Sequence, residues 1–351
     1  MLEELARTLI RKFPLYPVSV VFEPTTYCNL KCKACRRWYW DNPSKLKNLT
    51  LSMYREALKN IGWVPSIKFI GPDGEPLCNP EFNNLVEYNS SKNTFTQITT
   101  NGTLVTPDMV RFWKRHKVAR VVVSFDSCDP SEYEAIRLGS NFNKVRDVCK
   151  LISSNGIPLQ MNMVTFERNV DKVLDYAKFA ASLGACEVYY LRPHNVGEAS
   201  SIPPKITLER QKLFRETEDF LRVHKIKYIK PMRMGTYFRT CIQPFAAPYI
   251  LLDGSIRPCC TIFGDYKENL EGQLYQVDGS KYTLGNIYQD KLINIWNSKN
   301  AKDLRKFIKE TDYKEGSEIP LNQIASWKKN PIGCGRFEQC RSCLWRWSVE
   351  G

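Results

Sequence analysis

From Val18 to about Arg192 the chain alternates short β-like runs with helix-length segments, and this rhythm constrains its fold more than any other feature. The strand candidates are Val18–Glu23, Ser66–Ile70, Thr96–Thr100, Arg120–Phe125, Leu159–Val164 and Val188–Leu191. Helix patterns fill the intervals at Ser52–Ile61, Pro80–Ser90, Pro107–Lys114, Asn143–Ser154 and Asn169–Leu183, with Ser52 and Asn169 as capping-type openers. Strands separated by helices predict a parallel sheet with right-handed crossovers. Six strands fall short of the eight of a closed barrel, so the expected α/β fold is a partial (β/α)6 TIM-like barrel or a doubly wound sheet.

Beyond Pro193 the rhythm changes. A polar stretch with Pro203 and Pro204 precedes one long helix pattern, Leu208–His224. The apolar run Tyr249–Leu252, the turn Asp253-Gly254 and a second run ending at Cys259 predict a hairpin. A further helix is expected near Leu292–Ile308. The boundary is placed within 226–240, giving a barrel over 17–230 and a C-terminal unit over 236–351.

Composition narrows the function classes. With 43% hydrophobic and 25% charged residues the chain is an ordinary globular one, not a disordered one. No uncharged apolar run reaches the roughly 18 residues of a membrane span. The start, Met1-Leu-Glu-Glu-Leu-Ala-Arg, has early acids and no apolar core, unlike a secretory signal, so a cytoplasmic location is expected. The net charge of +14 is spread along the chain, which suits an anionic partner only weakly.

Thirteen cysteines, an odd number without a secretory signal, argue against a disulfide framework. Seven are grouped: Cys28, Cys32 and Cys35 early, then Cys241, Cys259, Cys340 and Cys343 late. The first group reads C-x3-C-x2-C directly after the first strand. Three thiolates there suit a four-iron cluster that leaves one iron open to a substrate or cofactor. A structural zinc site wants a fourth ligand, and the nearest candidates are the distant Cys78 and His116. A zinc knuckle completed from afar is the plainer alternative.

This segment resembles the radical S-adenosylmethionine (radical SAM) superfamily. The resemblance implies a 4Fe–4S cluster on Cys28, Cys32 and Cys35, with S-adenosylmethionine chelated to the open iron. Reduction then yields a 5′-deoxyadenosyl radical that abstracts a substrate hydrogen. Ala34 departs from the family, which usually has a bulky residue there. Gly71-Pro72-Asp73-Gly74-Glu75-Pro76 is similar to the family's Gly-Gly-Glu-Pro loop and puts Gly74 and Glu75 at the cofactor. Thr100 and Asn101 after the third strand, and Ser124 and Asp126 after the fourth, resemble the residues that touch ribose and methionine. Arg137 looks like the arginine that meets the methionine carboxylate, a bidentate match. Asn162 corresponds to another position near the cofactor.

The second group, two cysteines flanking a hairpin with Gly254 and a distant C-x2-C, makes a complete four-cysteine set. It resembles the SPASM domain or its shorter relative, the twitch domain, and implies one auxiliary 4Fe–4S cluster on Cys241, Cys259, Cys340 and Cys343. Cys260 and Cys334 leave a second auxiliary cluster open. A zinc ribbon is the rival reading.

The resemblance to 2-deoxy-scyllo-inosamine dehydrogenase-type enzymes implies oxidation or epimerisation of a polar small molecule: a sugar, aminocyclitol or nucleoside-like compound. Cys128 and Cys78, just past strand ends, are candidate hydrogen-donor thiols, with ordinary packing as the bland alternative. One other reading is a maturase of ribosomally made peptides, disfavoured because only about seventeen residues precede the first strand. Another, from a different class, is a non-catalytic iron–sulfur or zinc-binding protein. Flavodoxin or ferredoxin is the implied electron donor. Nucleic acid, suggested only by Arg36-Arg37-Trp38-Tyr39-Trp40, is not expected: this stretch reads better as an active-site cover.

Overall fold

Alternating side chains sort each strand into two faces, and the residues between strands carry strong helix starts. The computed structural model describes residues 9–12, 14–32, 35, 37, 47–191, 207–229, 242–259, 266–270, 273–277 and 279–310. In order these form β1 (Ser19–Phe22), α1 (Leu51–Ile61), β2 (Ser66–Phe69), α2 (Phe82–Ser91), β3 (Phe95–Thr100), α3 (Pro107–Arg115) and β4 (Arg120–Ser124). Next come α4 (Pro130–Ile136), α5 (Phe142–Ser154), β5 (Leu159–Val164), α6 (Val173–Ser182), β6 (Glu187–Leu191), α7 (Leu208–Val223) and β7 (Lys227–Ile229). The remainder is α8 (Gln243–Ala246), β8 (Tyr249–Ile250), β9 (Ser255–Arg257), β10 (Tyr266–Leu270), β11 (Gln273–Val277), β12 (Gly285–Asn286), α9 (Leu292–Trp296) and α10 (Lys299–Glu310).

Ten strands share one sheet in the order β12-β9-β8-β1-β2-β3-β4-β5-β6-β7. Strands β1 to β7 are parallel neighbours in chain order. The order never reverses, so the doubly wound alternative falls and the barrel type of winding stands. The expected count of six is corrected to seven by β7, a three-residue strand too short to register as a pattern. On the other flank β8 pairs parallel with β1, and β9 and β12 follow antiparallel. One sheet therefore continues across the boundary expected at 226–240. The separate β10–β11 hairpin was not anticipated.

Helix starts differ in detail. Thr50, not Ser52, caps α1, its hydroxyl accepting from the Met53 amide at 3.2 Å. Asn169 opens a 3₁₀ turn, Val170–Lys172, and makes no cap bond. Its side chain instead accepts from the Phe166 amide and donates to the carbonyls of Asp126 and Val164. The helix α4 escaped the sequence reading although Asp129 caps it and Pro130 opens it. The pattern Leu292–Ile308 is two helices, α9 and α10.

The outer faces of the strands, such as Ile67 and Phe69, Val121 and Val123, Met161 and Met163, join the helices in one apolar core. The C-terminal elements dock through a few polar anchors. Trp296 Nε1 donates to the Pro14 carbonyl at 2.9 Å. The Arg305 guanidinium lies 4.1 Å over the Trp296 ring and donates to the carbonyls of Pro244 and Trp296. Burial pushes that guanidinium down to about 10. The predicted Asp253-Gly254 turn joins β8 to β9, and Gly254 has φ +81°. A Cβ there would meet the Tyr288 ring at 2.4 Å, so the turn needs glycine on two counts.

Candidate active site

Parallel barrels gather loops at the C-terminal ends of their strands, and here those loops enclose one pocket. Cys28, Cys32 and Cys35 line it together. So do Gly74 and Glu75 after β2, Thr100 and Asn101 at β3, Ser124 and Asp126 at β4, and Arg137 after α4. Residues scattered over more than a hundred positions thus converge at one rim. Leu30, Ile136, Val164 and Phe166 also line the pocket. The sequence reading missed these because it weighed only polar strand-end residues. The signal was available: an apolar residue at a strand's carboxyl end can face a ligand as readily as a polar one.

The polar residues are engaged mostly with one another. Glu75, buried, accepts from Thr100 Oγ1 at 2.6 Å and from the amides of Asn101 at 2.7 Å and Leu77 at 3.3 Å. Burial pushes its carboxyl up to about 7, against the pull of those donors. The Glu75 amide donates to the Tyr27 carbonyl at 2.7 Å, tying this loop to the residue before Cys28. Gly74 sits so close to that segment that an added Cβ would lie 2.3 Å from the Thr25 carbonyl oxygen. Asn101 Nδ2 donates to Asn29 Oδ1 at 3.0 Å, and Asn29 Nδ2 donates to Thr103 Oγ1 at 2.8 Å. A further tie runs from the Lys31 amide to the Leu138 carbonyl at 3.0 Å. Asn29 and Thr103 were not among the expected residues; both serve to moor the cysteine loop.

Asp126 is likewise internal. Its Oδ1 accepts from the Val164 amide at 2.9 Å and its Oδ2 lies 2.8 Å from Arg137 Nε. Burial opposes the charge on Arg137, but Asp126 and Cys32 outweigh it and hold the guanidinium above its ordinary range. Burial also raises the thiols of Cys28 and Cys32, and pushes Cys35 up to about 11. Without metal they are protonated at neutral pH, so metal binding must displace protons.

Three expected residues stand apart. Asn162 lies on the inner face of β5 below Val164, does not line the pocket, and accepts from Gln160 Nε2 at 2.7 Å. Cys128 packs against the apolar core near Asp175 and Lys172, outside the pocket. Cys78 does not line it either; its Sγ is 4.0 Å from Asn29 Oδ1, beside the rim. Of the second cysteine group only Cys259 is described, buried after the β8–β9 hairpin. Cys241, Cys340 and Cys343 lie outside the described residues, as do Cys260 and Cys334.

Three thiols, a buried guanidinium and close-approaching backbone at the mouth of a partial barrel define an iron–sulfur enzyme pocket. Among the described residues no three His, Cys, Asp or Glu side chains draw close enough for a single ion. A cluster, which engages one thiolate per iron, needs no such closeness. The chain belongs to the radical SAM superfamily: the superfamily's model matches residues 22–180, and that of an iron–sulfur cluster-binding domain, SPASM, matches residues 241–344. The architecture is the expected one, a partial TIM-like barrel with a C-terminal iron–sulfur domain, and its cofactors are S-adenosylmethionine, a 4Fe–4S cluster and auxiliary iron–sulfur.

The chain is 24% identical to the tungsten-containing aldehyde ferredoxin oxidoreductase cofactor-modifying protein of Pyrococcus furiosus, over 92% of this chain and 93% of that one. It is 25% identical to the antilisterial bacteriocin subtilosin biosynthesis protein AlbA of Bacillus subtilis, over 82% of this chain and 61% of that one. The fold is similar to Streptococcus suis SuiB, solved bound to its precursor peptide SuiA, with a TM-score of 0.63, 18% identity, and coverage of 86% and 71%. Among the described residues no helix is long and apolar enough to cross a membrane.

Proposed function

We propose that this radical SAM enzyme modifies a peptide, abstracting a hydrogen from one of its residues. The observation that carries the reading is the relationship to a bacteriocin biosynthesis protein, which runs through both the barrel and the cluster-domain segment. It displaces the expectation of a sugar or aminocyclitol substrate as the first reading. A small-molecule target remains the second, favoured by the end-to-end alignment with a cofactor-modifying protein.

In this reading Cys28, Cys32 and Cys35 hold the radical cluster, and the late set Cys241, Cys259, Cys340 and Cys343 holds an auxiliary one. The barrel occupies 17–230 and the cluster domain 236–351. When bound, the cluster and S-adenosylmethionine supply a one-electron reductive cleavage and a 5′-deoxyadenosyl radical. The chain's own residues prepare the place. Arg137, held by Asp126, offers the free edge of its guanidinium to a carboxylate. Glu75, Thr100, Asn101 and Asn29 fix the cysteine loop to the strand ends, so the thiols need little reorganisation on binding. Leu30, Ile136, Val164 and Phe166 exclude water from the pocket. Flavodoxin or ferredoxin in the cytoplasm supplies the electron.

The test uses reconstituted protein, S-adenosylmethionine and a chemical reductant with uniformly deuterated substrate pools. Deuterium in 5′-deoxyadenosine from a peptide pool is expected. Transfer from a pool of deuterated sugars and aminocyclitols, with none from peptides, overturns the peptide reading.

A further inference from the structure

The basic–aromatic stretch 36–40 reads from the sequence as an active-site cover, yet its one described residue, Arg37, is used differently. This half-buried side chain turns back to the segment ahead of Cys28. Its Nη1 donates to the Thr26 carbonyl and, at 2.8 Å, to the Asp73 carbonyl. Thr26 stands two residues before Cys28, Arg37 two after Cys35, and Asp73 directly before Gly74 of the pocket. One nitrogen thus joins the entry of the cysteine loop, its exit and the loop after β2. The junction is close-packed: the Glu75 amide donates to the Tyr27 carbonyl at 2.7 Å, and a Cβ on Gly74 would lie 2.6 Å from that carbonyl oxygen.

Two carbonyls aimed at one point form a negative spot, and a guanidinium nitrogen suits it in two ways. It carries two N–H bonds in a fixed plane, and its charge is kept at every accessible pH. Chain connectivity bounds where that charge lies. Two residues span at most about 7 Å, so the backbone of Cys28 lies within that distance of Thr26, and that of Cys35 within it of Arg37. A partly screened charge at this range shifts a one-electron equilibrium severalfold to about tenfold. Net charge around the sulfurs is one of the quantities that set an iron–sulfur potential. The sign is fixed as well, because reduction adds negative charge and a nearby cation favours the reduced state.

We propose that Arg37 is a positioning residue for the radical cluster: it clasps both ends of the cysteine loop to the loop after β2 and holds there a positive charge that raises the cluster's reduction potential. The inference rests on the assignment of that cluster to Cys28, Cys32 and Cys35, and not on a peptide as the substrate. The clasp gathers the thiols before iron arrives. The charge acts on the loaded protein, where it eases the arrival of an electron from a donor.

The experiment is a redox titration of the full-length reconstituted protein. It follows the electron paramagnetic resonance signal that changes on adding S-adenosylmethionine, since a cluster with an open iron is the one that takes up the ligand. Hydrogen exchange at the Glu75 amide of the iron-free protein reads the clasp separately, so a variant that loads poorly is still tested. Arg37→Gln removes the charge but keeps an N–H donor, Arg37→Lys keeps the charge, and Lys178→Met removes an exposed charge on α6. At a fixed potential Arg37→Gln is expected to move the oxidised-to-reduced ratio about tenfold toward oxidised, which is about 59 mV for one electron. Arg37→Lys is expected within about twofold of wild type, and Lys178→Met unchanged. Arg37→Met should show the shift of Arg37→Gln together with about tenfold faster exchange at the Glu75 amide. An unchanged potential in Arg37→Gln, an equal shift in Arg37→Lys or Lys178→Met, or unchanged exchange in Arg37→Met overturns the inference. If Cys28→Ala keeps the S-adenosylmethionine-responsive signal, the cluster assignment itself falls. If it loses that signal while the Arg37 variants match wild type, the assignment stands and the inference falls.

Discussion

The two faces of the barrel wall are built from alternate residues of the same strands, yet they obey opposite rules. The outer face, with Ile67, Phe69, Val121, Val123, Met161 and Met163, is buried and apolar. The inner face carries Lys68, Arg120, Gln160, Asn162 and Glu187, with orphaned buried atoms. One face contributes stability through packing; the other retains unmatched polarity that a folded chain alone has no use for. Local cost without local compensation marks the side on which function was selected.

The contrast is broken most severely at the top of the inner face. Cys28→Ala is expected to reduce iron loading after reconstitution and to bring 5′-deoxyadenosine formation to background, as read by iron analysis and chromatography. Unchanged product formation would remove the cysteine loop from the chemistry. Neighbouring positions on β2 give the sharpest comparison. Phe69→Ala should cost about 3–5 kcal/mol in denaturant unfolding, because a cavity opens between sheet and helices. Lys68→Met, one residue away, should be neutral or stabilising. Comparable losses at both sites would dissolve the distinction between faces.

Glu75→Gln should fall between these, at about 1–3 kcal/mol, since the amide keeps one acceptor where the carboxylate served three donors. Hydrogen exchange should show the cysteine loop loosening with it. The smallest effect is expected on the outer surface, where hydrogen bonds from Arg210 hold the Asp171 carboxyl below its ordinary range. A lowered folded value means that the stabilisation is present above about pH 4 and is lost as the pH falls through the folded value. Arg210→Gln should therefore flatten only the acid limb of the stability profile.

How far the sequence carried the reading follows the same division. The first six strands were legible because outer-face apolar residues recur with period two and β-branched side chains bound them. Strand β7 was not, since Lys227-Tyr228-Ile229 is too short to show a period. At the rim, Cys28, Cys32, Cys35, Gly74, Glu75, Thr100, Asn101, Ser124, Asp126 and Arg137 all reach the pocket. Their order was informative; their roles were less so. A sequence shows that a carboxylate stands at a strand end, but not that Glu75 turns inward onto Thr100 and the Asn101 amide and Asp126 onto the arginine. Asn162 and Cys128 lie off the pocket lining, because depth along a strand and side of a turn depend on register, which spacing alone does not fix.

The pairing of β1 with β8 also has a consequence for how the protein is made. Glu23, just past β1, accepts from the Leu252 amide, and the two residues are 229 positions apart in the chain. At about 5–20 residues per second, a ribosome that has released β1 needs on the order of ten seconds to most of a minute before β8 emerges beside it. Through that interval the strand bearing the cysteine loop offers a bare hydrogen-bonding edge to whatever it meets. Slower translation would lengthen that vulnerable time, and a chaperone that occupies the edge of β1 would shorten it, so soluble yield should depend on events at the polypeptide exit tunnel as much as on the finished fold.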